Sequence, residues 1–306
     1  MLGYATDPSG PAGIVRRELP EPQPGAHDLI VEVAAYSINR GELALIERRA
    51  DGWTPGQDVA GVVITAAADG TGPPAGARVV GIADQGGWSE RVAIPAHRMA
   101  VLADSVSFAE AAALPVAGLT ALRGLRTGGS LLGRNVLVTG ATGGVGTYAV
   151  QLARLAGAVV TAQVSGPARI AAASELGASE VIMEIGADAG PFHLALDGVG
   201  GQVLTAAIRR LAPGGVATAY GLASGQRSAI AFCDFADAPG ARLEGFFVYS
   251  TGEETFGADL AALATLVAQG SLVPHIGAPR GWGQTPAAVM ALRGRGVTGK
   301  LILVRD

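Results

Sequence analysis

The chain is 306 residues long, which is enough for two domains, since single hydrophobic cores stop growing near about 250–300 residues. Hydrophobic residues make up 49% of it and charged residues 16%, a balance that excludes an intrinsically disordered chain. The net charge of −4 and the lack of a basic run argue against nucleic acid or an anionic membrane surface as the main partner.

Cysteine usage and the N-terminal residues bear on the compartment. The single cysteine, Cys233, cannot form an intrachain disulfide, which fits a reducing environment. The first residues, MLGYATDPSGPAG, lack the cationic and apolar stretches of a signal peptide. No uninterrupted apolar run reaches the roughly 18 residues that a membrane span needs. We therefore expect a cytoplasmic protein.

The first third of the chain has the pattern of short β-strands. Stretches rich in Gly and Pro separate them, around residues 20–25, 70–74 and 86–87. Short strands with turn signals at this spacing predict a small barrel or sandwich. The predicted strands are Leu29–Ala34, Asp58–Ile64, Ala77–Gly81 and Glu90–Ile94.

The pattern changes near Ser107, where Ser107 and Glu110 have the spacing of a capping box at a helix start. From about residue 116 to 250, short apolar strands alternate with Ala/Leu-rich helices, which predicts a doubly wound parallel sheet. Its predicted strands are Asn135–Thr139, Val159–Gln163, Glu180–Met183, Leu194–Asp197, Gly215–Tyr220 and Arg242–Val248, followed by helices over Phe256–Gln269 and Pro286–Arg293 and a strand over Lys300–Val304.

The most informative motif is a glycine-rich turn between a predicted strand and a predicted helix, in residues 135–146. Gly143 lacks a Cβ and lets the backbone approach a pyrophosphate, while Gly146 lets the helix pack closely on the strand. The N–H groups of the helix N-terminus favour phosphates. Ala141 replaces the first glycine of the strict G-x-G-x-x-G pattern. The strand–turn–helix context nevertheless predicts dinucleotide binding, and a plain strand–turn–helix corner is the alternative.

The end of the next predicted strand distinguishes NADPH from NADH. An enzyme that uses NAD places an acidic residue about 20 residues after the glycine-rich turn, to bind the ribose hydroxyls. No acid is present over residues 161–169. Ser165 and Arg169 would instead bind a 2′-phosphate, which predicts NADPH. The alternative is that Arg169 is an ordinary solvated residue.

Further motifs occur in a fixed order along essentially the whole chain. They are Pro55–Val63, Gly87–Val92, Leu114–Ala121, Leu176–Ala178, Asp197–Gly200 and Gly299–Leu303. Together with the glycine-rich turn, this ordered set resembles the medium-chain dehydrogenase/reductase superfamily, in its zinc-independent, quinone-oxidoreductase-like branch.

The resemblance implies an α/β fold with two domains. A Rossmann nucleotide domain with a doubly wound parallel sheet would span residues 116–250, and a GroES-like β-barrel catalytic domain would span residues 1–115 and 251–306. The resemblance also implies a homodimer that pairs edge strands, and Leu243–Tyr249 is the apolar edge expected to pair.

The resemblance also assigns residues to the cofactor. Thr120 matches a position at the nicotinamide end. Glu184 stands where several NADPH-binding relatives have a tyrosine, which weakens the preference for NADPH over NADH. The other matching positions are Thr142, Gly143, Gly144 and Val145 at the pyrophosphate, Ser165 and Arg169 at the 2′-phosphate, Gly221, Phe246, Phe247 and Val248 at the ribose and nicotinamide, and Lys300 near the phosphates.

Asn39, Tyr36 and Arg40 are the candidate catalytic residues, and Asn39 matches the family's active-site asparagine. Asn39 would hydrogen-bond a substrate carbonyl or a cofactor hydroxyl, and Arg40 would stabilise a developing oxyanion. Tyr36 would donate a proton. The alternatives are a packing role for Tyr36, a surface ion pair between Arg40 and Glu42, and a surface turn at Lys300.

No metal site is predicted. The position of the family's zinc-binding G-H-E motif reads Gly56-Gln57-Asp58, and a single cysteine cannot build a cysteine-rich zinc site. The four histidines lack the spacing of metal ligands. Without a Lewis acid, reduction of a quinone or a conjugated C=C bond is easier than alcohol oxidation, because conjugation stabilises the resulting enolate.

The expected function is that of an NADPH-dependent, metal-free oxidoreductase that transfers a hydride to a quinone or an α,β-unsaturated carbonyl compound. One alternative is a tailoring enoyl or imine reductase of a biosynthetic pathway, with a bulkier substrate. Another is a non-catalytic NADPH-binding protein that resembles lens zeta-crystallin. The expected partner is a small hydrophobic or conjugated carbonyl compound, not nucleic acid or a membrane.

Overall fold

The computed structural model describes residues 1–294 and 297–305. The chain divides into two compact units, one formed by Met1–Leu119 with Gly252–Asp306 and the other by Thr120–Thr251. The first unit is therefore discontinuous in sequence, and the second is inserted into it. Within the part of the chain that the structure describes, no helix has the length and apolar character needed to cross a membrane.

Most strands of the first unit come from its N-terminal stretch. In chain order the elements are β1 (Leu2–Thr6), β2 (Ile14–Glu18), β3 (Asp28–Ile38), α1 (Arg40–Arg48), β4 (Asp58–Thr65), β5 (Arg78–Ile82), β6 (Arg91–Pro95), β7 (Met99–Val101), α2 (Phe108–Ala112) and α3 (Pro115–Arg126), within which the boundary to the second unit falls.

The second unit and the returning stretch of the first unit follow. The inserted unit contains β8 (Asn135–Val138), α4 (Gly144–Leu155), β9 (Val159–Gln163), α5 (Ile170–Glu175), β10 (Glu180–Ile182), β11 (Phe192–Asp197), α6 (Gly201–Ile208), β12 (Leu211–Ala219) and β13 (Arg242–Gly245), and the returning stretch adds α7 (Phe256–Ala268), β14 (Arg280–Gly281), α8 (Thr285–Arg293) and β15 (Leu301–Val304).

The long strand β3 organises the sheet of the first unit. The strand order is β14-β15-β3-β4-β5-β7, and β6 also pairs with β3. Strand β15 runs antiparallel to β3, with Leu301 opposite Ile38, so it joins the part of β3 next to Asn39. The core of this unit includes Tyr36, whose ring centroid lies 5.9 Å from that of Trp88 and 5.3 Å from that of Trp282.

The sheet of the second unit is parallel throughout, in the order β10-β9-β8-β11-β12-β13. Strands β8 and β11 are central and bury apolar side chains, as parallel strands covered by helices do. The predicted α/β fold, with a doubly wound Rossmann sheet and a separate sheet domain, is confirmed. Strand β13 lies at an edge of this sheet.

Two local features compare directly with the sequence. The predicted capping box is confirmed, because the Glu110 N–H donates to Ser107 Oγ at 3.2 Å and the Ser107 N–H donates to Glu110 Oε2 at 2.9 Å. Helix α1 was not predicted. It begins directly after Asn39, and its first turn contains a buried glutamate, Glu42, where a solvated residue is usual.

Candidate functional site

The glycine-rich turn of the second unit connects β8 to α4. Gly140 has a φ of +59°, in the left-handed region that favours glycine. Gly146 lies in the first turn of α4, and a Cβ placed on it would come within 2.8 Å of the Ala141 carbonyl carbon and closer still to the Gly140 oxygen. The helix therefore packs on the turn at a distance that only glycine allows.

The N-terminus of α4 keeps backbone donors available. Gly143 is the N-cap residue and has no side chain with which to satisfy the first N–H groups of the helix. These donors and the positive end of the helix dipole attract anions, phosphates in particular. The predicted pyrophosphate positions Thr142, Gly143, Gly144 and Val145 all lie in this turn or in the first turn of α4.

Gln163, at the end of β9, braces the turn, and the sequence analysis missed it. Its Oε1 accepts from the Gly140 N–H at 3.2 Å, and its Nε2 donates to the Met183 carbonyl oxygen at 3.0 Å. Its backbone oxygen also accepts from the Ala141 N–H at 3.0 Å. A glutamine at the end of an apolar strand was the available signal, because a buried amide requires partners.

The structure brings Arg169 and Thr142 together, although 27 residues separate them. Arg169 Nη1 donates to Thr142 Oγ1 at 3.0 Å, and the Arg169 side chain is half-buried. The guanidinium is thereby held beside the glycine-rich turn. Ser165 is exposed after β9. Glu184 is also exposed and lies beyond the end of β10 at Ile182, and the predicted strand over residues 180–183 ends one residue early.

The remaining cofactor positions lie on three segments of the second unit. Thr120 is buried in α3, and Gly221 follows the end of β12. The predicted strand over residues 242–248 ends at Gly245 instead. Beyond it, Phe246 is half-buried, Phe247 is exposed and Val248 is buried, and Val248 begins a short 3₁₀ helix.

A buried polar cluster in the first unit surrounds Asn39. It is formed by side chains from three separate stretches of the sequence. Asp58 is its centre, because one carboxylate oxygen accepts from Asn39 Nδ2 and from Lys300 Nζ, each at 2.9 Å, and also from the Ser37 hydroxyl. The other oxygen accepts from the Val116 N–H at 2.8 Å. We call Ser37, Asn39, Glu42, Asp58 and Lys300 the Asp58 cluster.

Glu42 adds a second carboxyl group to this cluster. Its two oxygens accept from the backbone N–H groups of Asn39, at 2.7 Å, and Gln57, at 2.9 Å. Burial, together with the negative charge of Asp58, raises the pKa of Glu42 to about 8. Glu42 therefore carries a proton at neutral pH, which leaves the Asp58–Lys300 ion pair as the charged part of the cluster.

Lys300 contradicts its predicted role at the cofactor phosphates. Its side chain is only 3% exposed, and Nζ donates to Asn39 Oδ1 at 2.5 Å and to Asp58 Oδ2 at 2.9 Å. Gly299, with a φ of +70°, directs the chain here, since a Cβ on it would lie 2.9 Å from the His275 carbonyl carbon. An ammonium held in this way is neither a flexible phosphate ligand nor part of a surface turn.

One catalytic assignment and one alternative also require correction. The Tyr36 hydroxyl is fully buried and hydrogen-bonded to Thr285 Oγ1 at 2.6 Å, and burial raises its pKa further above the ordinary value. It is a packing residue, not a proton donor. Arg40 is exposed at the start of α1, but the alternative of a surface ion pair with Glu42 is wrong because Glu42 is fully buried.

Asp58 and Ser37 were not predicted as site residues. The available signal was an acidic residue at the start of the otherwise apolar strand β4. A charge in such a place requires a partner, because burying it alone is costly. Over residues 1–294 and 297–305, no group of three or more His, Cys, Asp or Glu side chains is arranged to hold a metal ion.

The chain is similar to known proteins in family, sequence and structure. Residues 144–265 match the family model described as "Zinc-binding dehydrogenase". The chain is 37% identical, over 197 residues, to a chloroplast envelope quinone oxidoreductase homolog of Arabidopsis thaliana. That match covers 59% of this chain and 60% of the relative, which is less than two thirds of the relative's own length.

A second relative is matched over more of this chain. The spectinabilin polyketide synthase system protein NorB of Streptomyces orinoci is 35% identical over 288 residues, which cover 89% of this chain and 13% of that protein. Among solved structures, the Escherichia coli quinone oxidoreductase complexed with NADPH superposes with a TM-score of 0.89 at 22% identity, over 99% of this chain and all of that chain. The last comparison shows a shared fold.

Proposed function

Because this chain belongs to the medium-chain dehydrogenase/reductase superfamily, in its quinone-oxidoreductase-like branch, we propose that it is an NADPH-dependent oxidoreductase that works without a metal. Its substrate would be a quinone or an α,β-unsaturated carbonyl compound. The unit Thr120–Thr251 would bind the cofactor, and the unit that contains the Asp58 cluster would supply the catalytic groups. The single cysteine supports a cytoplasmic location.

The observation that carries this proposal is that a glycine-rich turn for the pyrophosphate and an arginine for the 2′-phosphate lie together at the start of α4. The residues fit a dinucleotide. Gly146 brings the N-terminus of α4 against the turn, and Gly143, which has no capping side chain, leaves the first N–H groups of α4 for a pyrophosphate. Arg169, held by Thr142, would neutralise a 2′-phosphate beside them. An NADPH-complexed protein of the same fold supports this assignment.

The chemistry divides between cofactor and protein. Bound NADPH would supply the hydride. The protein would fix the phosphates at the glycine-rich turn and present Asn39 as a hydrogen-bond partner for a substrate carbonyl oxygen. Conjugation would carry part of the negative charge that develops on that oxygen, so a few hydrogen bonds would stabilise the rest without a Lewis acid.

The direct test is NADPH oxidation by the purified protein with a panel of quinones and enones, before and after treatment with a chelator. We expect turnover with at least one acceptor, unchanged by the chelator. A stoichiometric zinc whose removal stops turnover would contradict the metal-free proposal. Tight NADPH binding without turnover on any acceptor would favour the non-catalytic alternative.

A bulkier conjugated substrate is the second candidate. It is favoured by the match to the polyketide synthase system protein, which spans 89% of this chain. An enoyl thioester in the acceptor panel distinguishes the two classes. A kcat/KM for the thioester well above that for every quinone would assign the protein to tailoring reduction of a biosynthetic intermediate.

We predict that Arg169→Ala weakens NADPH binding by about 1–3 kcal/mol, the scale of a charge-assisted hydrogen bond, and leaves NADH binding nearly unchanged. Dissociation constants for both cofactors, from fluorescence titration, provide the measurement. Arg134→Ala is the matched control, because it removes an exposed arginine of the same unit. Equal losses for the two cofactors would show that Arg169 does not contact the 2′-phosphate.

We also propose that the protein is a homodimer that pairs through β13. Strand β13 ends the parallel sheet, and Leu243 on it is 38% exposed. An unpaired apolar edge favours association. We expect a dimer by light scattering at micromolar concentration and a shift toward monomer in Leu243→Lys. Leu132→Lys, which changes another exposed leucine of this unit, should leave the mass unchanged. A monomeric wild type would refute the proposal.

A further inference from the structure

The Asn39 side chain lies between two groups of opposite hydrogen-bonding character. Lys300 Nζ lies 2.5 Å from Asn39 Oδ1, and an ammonium group can only donate. Asp58 Oδ2 lies 2.9 Å from Asn39 Nδ2, and a carboxylate can only accept. Exchanging the amide oxygen and nitrogen would set donor against donor and acceptor against acceptor. The partners therefore fix which way the amide faces.

We propose that Lys300 and Asp58 are positioning residues that hold Asn39 as a hydrogen-bond donor, so that its second amide N–H is the group offered to an oxygen of the substrate. This inference rests on the proposed function. Asn39 had two predicted roles, a hydrogen bond to a substrate carbonyl or one to a cofactor hydroxyl. The inference selects the first, since Lys300 already occupies the amide oxygen and a carbonyl oxygen needs a donor. The assigned role is stabilisation of the oxygen that gains negative charge when a conjugated carbonyl is reduced.

The surroundings of the amide support a donor role. The ammonium at Oδ1 draws electron density toward the oxygen and makes the amide N–H groups stronger donors, as hydrogen bonds in a chain polarise one another. Among the described residues, Asp58 is the acceptor that contacts Nδ2, and an amide nitrogen carries two hydrogens. Asn39 keeps 8% of its surface exposed, whereas Asp58 is fully buried, so Asn39 is the member of this pair within reach of a ligand.

The fold brings Asn39 and its two partners together from three separate places in the sheet. Asn39 lies between β3 and α1, Asp58 begins β4, and Lys300 directly precedes β15. Because β15 pairs with the end of β3, the ammonium reaches the amide without a flexible loop. Asn39 is therefore held as a donor in one orientation, and stabilisation of a developing oxyanion requires a donor fixed in this way.

The composition of the chain allows a direct test that does not depend on turnover. The sequence has one lysine, Lys300, and two asparagines, Asn39 and Asn135. Selective ¹⁵N labelling of asparagine therefore gives two side-chain amide signals, and labelling of lysine Nζ gives one signal. Asn135, whose Nδ2 donates to the Pro191 carbonyl oxygen at 3.1 Å, is the internal reference.

We expect Lys300→Met to move the Asn39 amide signal and speed its hydrogen exchange, and to leave Asn135 unchanged. Lys300→Arg, which keeps a donor-only cation, should restore the signal in part. Arg98→Met is the matched control, because it removes another buried cation of this unit, paired with Asp84 and Glu253, and does not contact Asn39. An Asn39 signal that does not respond to Lys300→Met overturns the proposal.

Kinetics distinguish positioning from a purely structural role. We expect Asn39→Asp, which removes the donor, to lower kcat about 100-fold, and Lys300→Met to lower it about tenfold. NADPH affinity should stay within about twofold in both, since Asn39 and Lys300 belong to one unit and the glycine-rich turn belongs to the other. If Arg98→Met loses as much kcat as Lys300→Met at an equal loss of thermal stability, or if Asn39→Asp keeps full kcat, the inference is wrong. A wild type inactive on every acceptor would instead refute the proposed function, and the NMR result would still decide how Asn39 is held.

Discussion

The free energy of unfolding of the wild type is expected to fall as pH rises from about 5 to about 8, and Glu42→Gln is expected to abolish this fall. The folded pKa of Glu42 is about 8, against an ordinary value of 4.5. Between these values the folded chain holds a proton that the unfolded chain has lost. Stability from Glu42 is therefore fully present below the ordinary value and is lost as pH rises through about 8, at about 1.4 kcal/mol per pH unit.

The measurement is the free energy of unfolding in urea at a series of pH values, for the wild type and the variant. Glutamine cannot accept both backbone N–H bonds, so the variant starts less stable near pH 5 and overtakes or approaches the wild type near pH 8. Glu47→Gln is the control, since Glu47 is an exposed carboxylate on the same helix. Parallel pH curves for wild type and Glu42→Gln would show that Glu42 is ionised in the folded protein.

Gly146→Ala is expected to weaken NADPH binding at least tenfold and to lower the free energy of unfolding by about 1–3 kcal/mol, the usual cost of overpacking. The added methyl group would lie 2.8 Å from the Ala141 carbonyl carbon, so the turn and α4 must move apart. The donors that we propose for the pyrophosphate belong to both, and their shared geometry would be lost. Calorimetric titration with NADPH and thermal unfolding measure the two effects.

Gly283→Ala is the matched control for this substitution. Gly283 also lies in a helical turn, but outside its chain neighbours and its own helix no atom of the described residues lies within 4 Å of the place where its Cβ would stand. We expect the control to bind NADPH like the wild type. If Gly146→Ala behaved in the same way, the close approach of α4 to the turn would have no part in cofactor binding.

The parallel sheet was predictable because its signals are local. Apolar strands alternate with helices, and the glycine-rich turn lies between β8 and α4. The type of each element and the alternation along the chain therefore follow from short windows of sequence. The boundaries were less predictable. Strand β10 ends at Ile182, before Met183, and β13 ends at Gly245, well short of Val248, because the pairing of each with its neighbouring strand stops there.

The Asp58 cluster was not predictable in the same way. Asn39 was found through a motif, but its partners Asp58 and Lys300 lie 19 and 261 residues away in the chain. Nothing in the spacing of these residues indicates a contact. The apolar context of Asp58 marked it as a buried charge in need of a cation, and the single lysine was an evident candidate. The motif around residue 299 indicated the phosphates instead, because the pairing of β15 with β3 is not visible in the sequence.

The separation of Asp58 from Lys300 has a consequence for biogenesis. A ribosome that has just made β4 has produced both carboxyl groups of the cluster, but their ammonium follows 242 residues after Asp58. The inserted unit, Thr120–Thr251, is completed in the meantime. Domains generally fold during synthesis in the order in which they emerge, so we expect the inserted unit to fold first here. In the other unit, the buried carboxylate of Asp58 gains its ion-pair partner only after Lys300 has been made.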